Sequence, residues 1–258
     1  MHSILGTKHL IIVAVCIALI VGLTILSKRL SFDKICRILL YVGITSEIIK
    51  IFYYIVQNEE THGGVLPKTD LPFHLCSIQI IFTLLLNIST SDKLKRFLLS
   101  FMYPSCLIGG IAAIFIATSS SLNGLWIITA QYFLYHVAIV VFSLRLIIGS
   151  DFKIQLSDYF NCLKFLLVIM FFAFYINSIV YDGVSNINFM YVASPPQSGL
   201  PFLTEEYGWL VYIVHYAFLV ITAVTLCYLK PIINAIKGHF KNSNATVEAE
   251  EPEMAEIK

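Results

Sequence analysis

An imidazole and a thiol lie close together at the start of an apolar stretch, in the run from Leu71 to Cys76 that reads LPFHLC. A thiol whose proton is taken by a nearby imidazole becomes a thiolate nucleophile, and its typical reaction is acyl transfer through a thioester. Ionisable groups are costly inside a membrane span, so they mark candidate functional sites. The pair predicts chemistry at Cys76, with His74 as one candidate base.

Two further histidines compete with His74 for the role of base. Residues two apart point to nearly opposite faces of a regular helix, which separates His74 from Cys76. His136 and His215 belong to two other apolar stretches and lie in the same half of the bilayer by their distance from the span ends. We expect His136 or His215 to reach Cys76 across the bundle, unless Pro72 leaves the start of the span irregular.

Other polar side chains at similar depth predict a shared cavity around the thiol. The candidates for substrate binding or support are Glu47, Lys50, Gln79, Gln131, Tyr135 and Asn177. Glu47 and Lys50 are three residues apart and can form a pair on one helix face. The amide of Gln79 or Asn177, or the hydroxyl of Tyr135, could donate to an oxyanion on the reacting carbonyl.

The composition indicates which kind of structure holds these residues in position. Hydrophobic residues make up 58% of the 258 residues and charged residues 13%, against about 25% charged in a typical soluble domain. Seven apolar stretches approach the length of about 20 residues that crosses a bilayer. They cover residues 10–27, 35–56, 71–88, 97–118, 125–148, 162–181 and 209–229. The sequence therefore predicts an all-α, polytopic membrane helix bundle with seven transmembrane helices.

Charge alternation between the spans predicts the orientation. Lysines and arginines follow the odd-numbered spans, whereas Lys68 is the only basic residue in segments 57–70, 119–124 and 182–208. By the positive-inside rule the N-terminus lies outside and the C-terminus in the cytoplasm. We expect residues 1–241 to form the transmembrane domain in the cell membrane and residues 242–258 to form a disordered acidic tail. The outer segment 182–208 is expected to cap the cavity mouth.

Three classes of function remain open on these residues. A lipid acyltransferase or a lipid ester hydrolase would use the thiol, a transporter or channel for a small solute or ion would use the buried polar groups, and a metal or haem site would use the histidines. The six cysteines form no CxxC pair, and a net charge of +1 gives no reason to expect nucleic acid. Small residues recur every four positions at Ser105, Gly109, Ala113 and Ala117, which predicts close helix packing there.

The run from Leu71 to Ser77 resembles the Leu-Pro-Leu-His-Leu-Cys signature of the YwaF family of bacterial integral membrane proteins, which is similar to the eukaryotic transmembrane protein 164 acyltransferases. Supporting matches are Glu47, Lys50, Tyr135-His136, Asn188 to Tyr191, Pro195-Pro196 and Gly208-Trp209. Tyr135 stands where the family often has a histidine, and residues 205–209 replace its usual Gly-Pro-Trp-Pro-Trp stretch.

This resemblance implies a seven-helix protein whose catalytic cysteine is Cys76. It also implies transfer of a fatty acyl chain between phospholipid and lysophospholipid, with membrane phospholipids as partners and with no cofactor and no metal. A membrane-embedded lipid acyltransferase working through a cysteine thioester is thus the predicted function. A transporter or channel, or a lipid ester hydrolase, is the alternative.

Overall fold

The computed structural model describes residues 6–57, 63–117, 121–122, 124–149, 152–195, 203 and 206–238, and no β-strand occurs among them. The long helices are α1 (Thr7–Ser27), α2 (Phe32–Val56), α3 (Leu75–Ile88), α4 (Asp92–Phe115), α5 (Trp126–Ile148), α6 (Leu156–Val180) and α7 (Trp209–Cys227). Two 3-10 turns cover Lys68–Asp70 and Phe189–Tyr191. The all-α prediction is confirmed, and the predicted tail 242–258 lies outside the described residues.

Five of these helices, α1, α4, α5, α6 and α7, are long and apolar enough to cross a membrane. Helix α2 has 25 residues but carries charged side chains near both ends. Helix α3 has 14 residues, or about 21 Å, which is shorter than the hydrocarbon core of about 30 Å. The protein is therefore a multi-pass, membrane-embedded helical protein.

Helices α4 and α5 form the centre of the bundle. In their apolar windows 61% and 56% of residues are buried, against 22% in α1, 11% in α6 and 17% in α7. They approach each other closely at Gly110, where a Cβ atom would lie 2.5 Å from Val140 Cγ2 and 3.2 Å from the carbonyl oxygen of His136. A Cβ atom at Gly109 would meet only Leu75 Cδ2, at 3.5 Å. The tightest contact at a glycine of α4 thus lies one residue after Gly109 of the predicted stripe, whose members Ser105 and Ala117 are buried.

The third span begins irregularly. Helix α3 starts at Leu75, and His74 is its N-cap residue with φ −71° and ψ 152°, outside the regular helix. Pro72 disfavours the helical conformation of the residue before it, so the predicted start at residue 71 is four residues too early. The helical-phase argument that separated His74 from Cys76 does not apply to this geometry.

Helices α2 and α3 run antiparallel and connect two polar regions. At one end the Ser77 hydroxyl donates to Glu47 Oε2 at 3.4 Å, and at the other the Asn87 amide donates to the Cys36 carbonyl at 3.3 Å. The two contacts are separated by ten residues of α3, or about 15 Å. We call the first region the thiol end. The second is the basic end, which carries Lys28, Arg29, Lys34, Arg37, Lys93, Lys95 and Arg96.

Candidate active site

Cys76 and His136 meet across the bundle between α3 and α5. The Nε2 atom of His136 lies 3.2 Å from Cys76 Sγ, and its Nδ1 atom lies 2.6 Å from the carbonyl oxygen of Tyr132. A carbonyl oxygen only accepts hydrogen bonds, so Nδ1 carries the ring proton and Nε2 presents its lone pair to the thiol. The geometry is that of a thiol donating to a base already in the correct tautomer.

Two tyrosines hold this pair in place. The Tyr135 hydroxyl donates to the Cys76 carbonyl at 2.6 Å. The Tyr132 ring packs against the His136 ring with centroids 4.3 Å apart, and its hydroxyl donates to the Ala113 carbonyl at 3.1 Å. His136 itself is 6% exposed. Cys76 and His136 are thus held in place by backbone hydrogen bonds and packing.

The position of Cys76 in the first turn of α3 adds hydrogen-bond donors to the site. The first backbone bond of this helix runs from Ile78 N–H to the His74 carbonyl at 3.1 Å. The N–H groups of Cys76 and Ser77 precede it and donate to no group among the described residues. They lie at the positive end of the helix dipole, which favours negative charge on a thiolate or an oxyanion.

A paired cation lies beside the thiol. Lys50 Nζ and Glu47 Oε1 are 2.7 Å apart, as their spacing predicted. The hydroxyl of Ser77, the residue after Cys76, donates to Glu47 Oε2 at 3.4 Å, which places this pair near the thiol. Burial raises the pKa of the nearby Asp70 carboxyl in the preceding turn, against the opposing effect of Lys50. The thiol end therefore holds charged groups that largely offset one another.

The other two candidate histidines have different surroundings. The His74 ring packs against the rings of Phe189 and Tyr191, with centroid distances of 5.2 and 6.1 Å. His215 is exposed, and its Nδ1 atom lies 2.7 Å from the carbonyl oxygen of Val211 on its own helix. The structure therefore brings His136, and neither His74 nor His215, within hydrogen-bonding distance of Cys76 Sγ.

The predicted oxyanion donors are already engaged. The Gln79 amide donates to the Ser105 hydroxyl at 2.9 Å, and Tyr135 donates to the Cys76 backbone. The Asn177 amide donates to the carbonyl oxygens of Ala173 and Phe189, at 2.7 and 3.0 Å. Gln131, a supporting candidate, donates to the Ser46 hydroxyl between α5 and α2. These four side chains hold the helices and a loop together around the site.

Part of the predicted outer cap folds down onto His74. Phe189 is 0% exposed, and Met190 and Tyr191 both have left-handed backbone angles, with φ of 58° and 55°. The hydroxyl of Tyr216 donates to the Met190 carbonyl at 3.0 Å, and the indole of Trp209 donates to the Val192 carbonyl at 3.0 Å. These bonds hold two strained residues against the bundle. Pro196 and Pro201 of the same segment lie outside the described residues.

Sequence reasoning missed the contributions of Tyr191 and of the backbone of Ser77. The Tyr191 ring packs against His74, two residues before Cys76, so the tyrosine lies close to the site although it is far along the chain. The run from Asn188 to Tyr191 was the signal that could have found it, because it supports the resemblance given above. Among the described residues, no three His, Cys, Asp or Glu side chains are grouped to hold a metal ion.

Comparison with known proteins gives a family. Residues 4–228 of the chain match the TMEM164 family. The match covers all seven long helices and every candidate site residue. No curated protein and no solved structure matches the chain.

Proposed function

The chain belongs to the TMEM164 family, and we propose that it is a cell-membrane enzyme that moves a fatty acyl chain from a phospholipid to a lysophospholipid through a thioester at Cys76. The observation that carries this proposal is the 3.2 Å contact between Cys76 Sγ and His136 Nε2. Its second support is the Tyr132 carbonyl, which holds His136 in the tautomer that a base requires.

The proposed topology has seven spans, with the N-terminus outside and the C-terminus in the cytoplasm. Helix α3 is followed by the charged first turn of α4, which favours a position of residue 89 at the cytoplasmic boundary. Thirteen residues, about 20 Å, separate Cys76 from residue 89. In a hydrocarbon core of about 30 Å, the thiol then lies about 10 Å below the outer boundary. Among the components of a membrane, lipid esters have the acyl carbonyl groups nearest to this depth.

In the proposed first half-reaction, His136 Nε2 takes the proton of the thiol and the thiolate attacks the ester carbonyl carbon. The resulting oxyanion accepts hydrogen bonds from the N–H groups of Cys76 and Ser77, which donate to no group in the described part of the chain. The carbon–oxygen bond then breaks. His136 returns the proton to the leaving lysophospholipid oxygen, and the acyl group remains on Cys76 as a thioester.

In the second half-reaction, a lysophospholipid hydroxyl loses its proton to His136 and attacks the thioester. The carbon–sulfur bond breaks, the new ester leaves, and the thiolate recovers the proton from His136. Water in place of the lysophospholipid would release a free fatty acid, which would make the protein a lipid ester hydrolase. The segment over His74 and the scarcity of exposed polar groups at the thiol favour exclusion of water.

The testing experiment follows an acyl label between lipids. Purified protein is placed in vesicles containing phospholipid with a labelled acyl chain and unlabelled lysophospholipid. The wild type should transfer label to the lysophospholipid, and Cys76→Ala should lose transfer by at least about 10³-fold. Cys162→Ala is the matched control, because Cys162 is a fully buried cysteine on α6.

Retained transfer in folded Cys76→Ala would contradict the proposal. Label appearing only as free fatty acid, and lost with Cys76→Ala, would replace acyl transfer by hydrolysis while keeping the same nucleophile. Flux of small solutes into protein-containing vesicles, without any movement of label, would favour the transporter alternative.

A further inference from the structure

A cleft opens at the basic end, between the start of α2, the end of α3 and the start of α4. Its volume is about 350 Å³. It lies beside Asn87, about 15 Å along α3 from the thiol end. None of its lining residues belongs to the candidate active site, so the acyl-transfer proposal gives this cleft no role.

Two cations from different helices face the cleft. Arg37 of α2 and Lys95 of α4 both line it, together with one carboxylate, Asp33. Cys36 forms part of the wall between them, so the three charged side chains face one region. These three charged side chains give the lining a net charge of +1.

The cations at the cleft have few protein partners. Arg37 uses Nε to donate to the carbonyl oxygen of Asp33 on its own helix, at 3.4 Å. Within the described part of the chain, no group accepts a hydrogen bond from its terminal nitrogens or from Lys95 Nζ. By contrast, the neighbouring Arg96 is paired with buried Asp158 at 2.7 Å. The two cleft cations thus keep donors for a ligand, and the first turns of α2 and α4 add the positive ends of two helix dipoles.

Four of the other five lining residues, Phe32, Cys36, Leu86 and Leu99, are apolar. Phe32 packs its ring against Phe142 at a centroid distance of 5.9 Å, and Leu86 and Leu99 are 5% and 7% exposed. Asn87 uses its amide on the carbonyls of Thr83 and Cys36, so it offers no donor to the cleft. A ligand that fits this lining has a negatively charged head and an apolar body.

We propose that this cleft binds an anionic glycerophospholipid, with Lys95 and Arg37 contacting its phosphate and the apolar wall contacting the start of its acyl chains. Basic pockets between membrane helices are the usual places for such headgroups. The negative charge of Asp33 at the same opening disfavours headgroups that carry several negative charges. This inference does not rest on acyl transfer, because it concerns a binding site at the opposite end of α3.

Thermal unfolding of the purified full-length protein in detergent tests the site. Phosphatidylglycerol should raise the midpoint in a saturable way, because a ligand that binds only the folded protein stabilises it. Phosphatidylcholine, which has no net charge, should give little shift at the same concentration. Inorganic phosphate should also give little shift, since it cannot contact the apolar wall.

Charge-removing variants identify the residues. Lys95→Gln should weaken phosphatidylglycerol binding about fivefold, and adding Arg37→Gln should weaken it about 25-fold, since each cation near a membrane surface contributes about 1 kcal/mol. Lys95→Arg should bind as the wild type does. Lys93→Gln is the matched control, because Lys93 is an exposed lysine of the same helix turn that does not line the cleft.

Several outcomes would overturn the site. These are an unchanged shift in the double variant, an equal loss in Lys93→Gln, or an equal shift with phosphatidylcholine. A full shift with inorganic phosphate alone would assign the cleft to a soluble anion. If the double variant does not fold, bound phosphatidylglycerol is counted by native mass spectrometry in Lys95→Gln against Lys95→Arg, and equal counts would reject the proposal.

Discussion

The thiol end and the basic end lie at opposite ends of α2 and α3, and they differ in how far their polar side chains are paired with other protein groups. At the thiol end Glu47 neutralises Lys50, and His136 has both ring nitrogens occupied. At the basic end Lys95 has no hydrogen-bond partner among the described residues, and Arg37 bonds only to its own helix. Reacting groups need fixed orientation, whereas a headgroup needs available charge.

The difference also concerns what surrounds the two regions. Cys76 lies where α3, α5 and the segment around Phe189 meet, under buried aromatic rings. The cleft opens beside exposed Arg37 and Asp33 at the ends of helices. The thiol region is buried or half-buried, whereas Arg37 and Asp33 at the cleft are exposed. Variants should therefore change catalysis at one end and lipid retention at the other.

The largest expected effect that separates the two ends comes from His136. His136→Gln keeps a polar side chain but removes the base, so acyl transfer should fall about 10² to 10⁴-fold. The measurement is the rate of label transfer, with phosphatidylglycerol binding as the second readout. Binding should be unchanged.

His215, another candidate base, provides the comparison with His136. His215→Gln should retain most transfer, since His215 is exposed and bonded to its own helix. A loss in His215→Gln as large as in His136→Gln would mean that the contact seen between Cys76 and His136 is not the catalytic one.

Adjacent glycines on α4 test whether helix packing positions the base. Gly110→Ala places a methyl group against α5 at the His136 carbonyl, and it should cost about 1 to 3 kcal/mol of folding stability and lower transfer markedly. Gly109→Ala meets only ordinary van der Waals contact and should be mild in both respects. Thermal unfolding and transfer rates check this, and equal effects of the two substitutions would refute the assigned contact.

The cleft variants should leave catalysis nearly intact. Charges more than a Debye length of about 8 to 10 Å apart are largely screened. Lys95→Gln with Arg37→Gln should therefore change the transfer rate by less than about threefold at saturating lipid. A loss comparable to that of His136→Gln would show that the two ends act as one site.

The smallest expected effect lies in the loop after α6, at the Asp182 carboxylate. It accepts N–H bonds from Ser185 and Val184 and contacts Lys68 Nζ at 3.0 Å, which hold its pKa well below its usual range. Because the folded-state pKa is lowered, the stabilisation is complete above about pH 4 and is lost as the pH falls through the folded-state value. Asp182→Asn should flatten the acid side of a plot of melting temperature against pH. An unchanged acid slope would mean that this carboxylate stabilises nothing.

At the thiol end, the sequence predicted the positions of the helices better than the contacts between their side chains. Apolar run length is a local property, so it located the helices, and a spacing of three residues predicted the Glu47–Lys50 pair. The choice among three histidines depended on which helices pack together, and no single run of residues contains that information. Pro72 made the start of α3 irregular, and this invalidated the phase argument about His74.

The basic end was harder to predict for a different reason. Its lysines and arginines give the same signal as any cytoplasmic boundary under the positive-inside rule. Whether two of them converge depends on the crossing of α2, α3 and α4. Gly110 is a similar case, because a close approach depends on the rotation of α4 against α5 and the four-residue stripe selected its neighbour.

The acyl-enzyme intermediate is the most direct test of the account. Wild-type protein is mixed with phospholipid labelled in its acyl chain, without lysophospholipid, and is then digested and analysed by mass spectrometry. If Cys76 is the nucleophile, a labelled acyl group appears on the peptide containing Cys76, is released by hydroxylamine and is absent in Cys76→Ala. Transfer of label without an acyl group on that peptide, or equal labelling of the same peptide in Cys76→Ala, would contradict a thioester at Cys76.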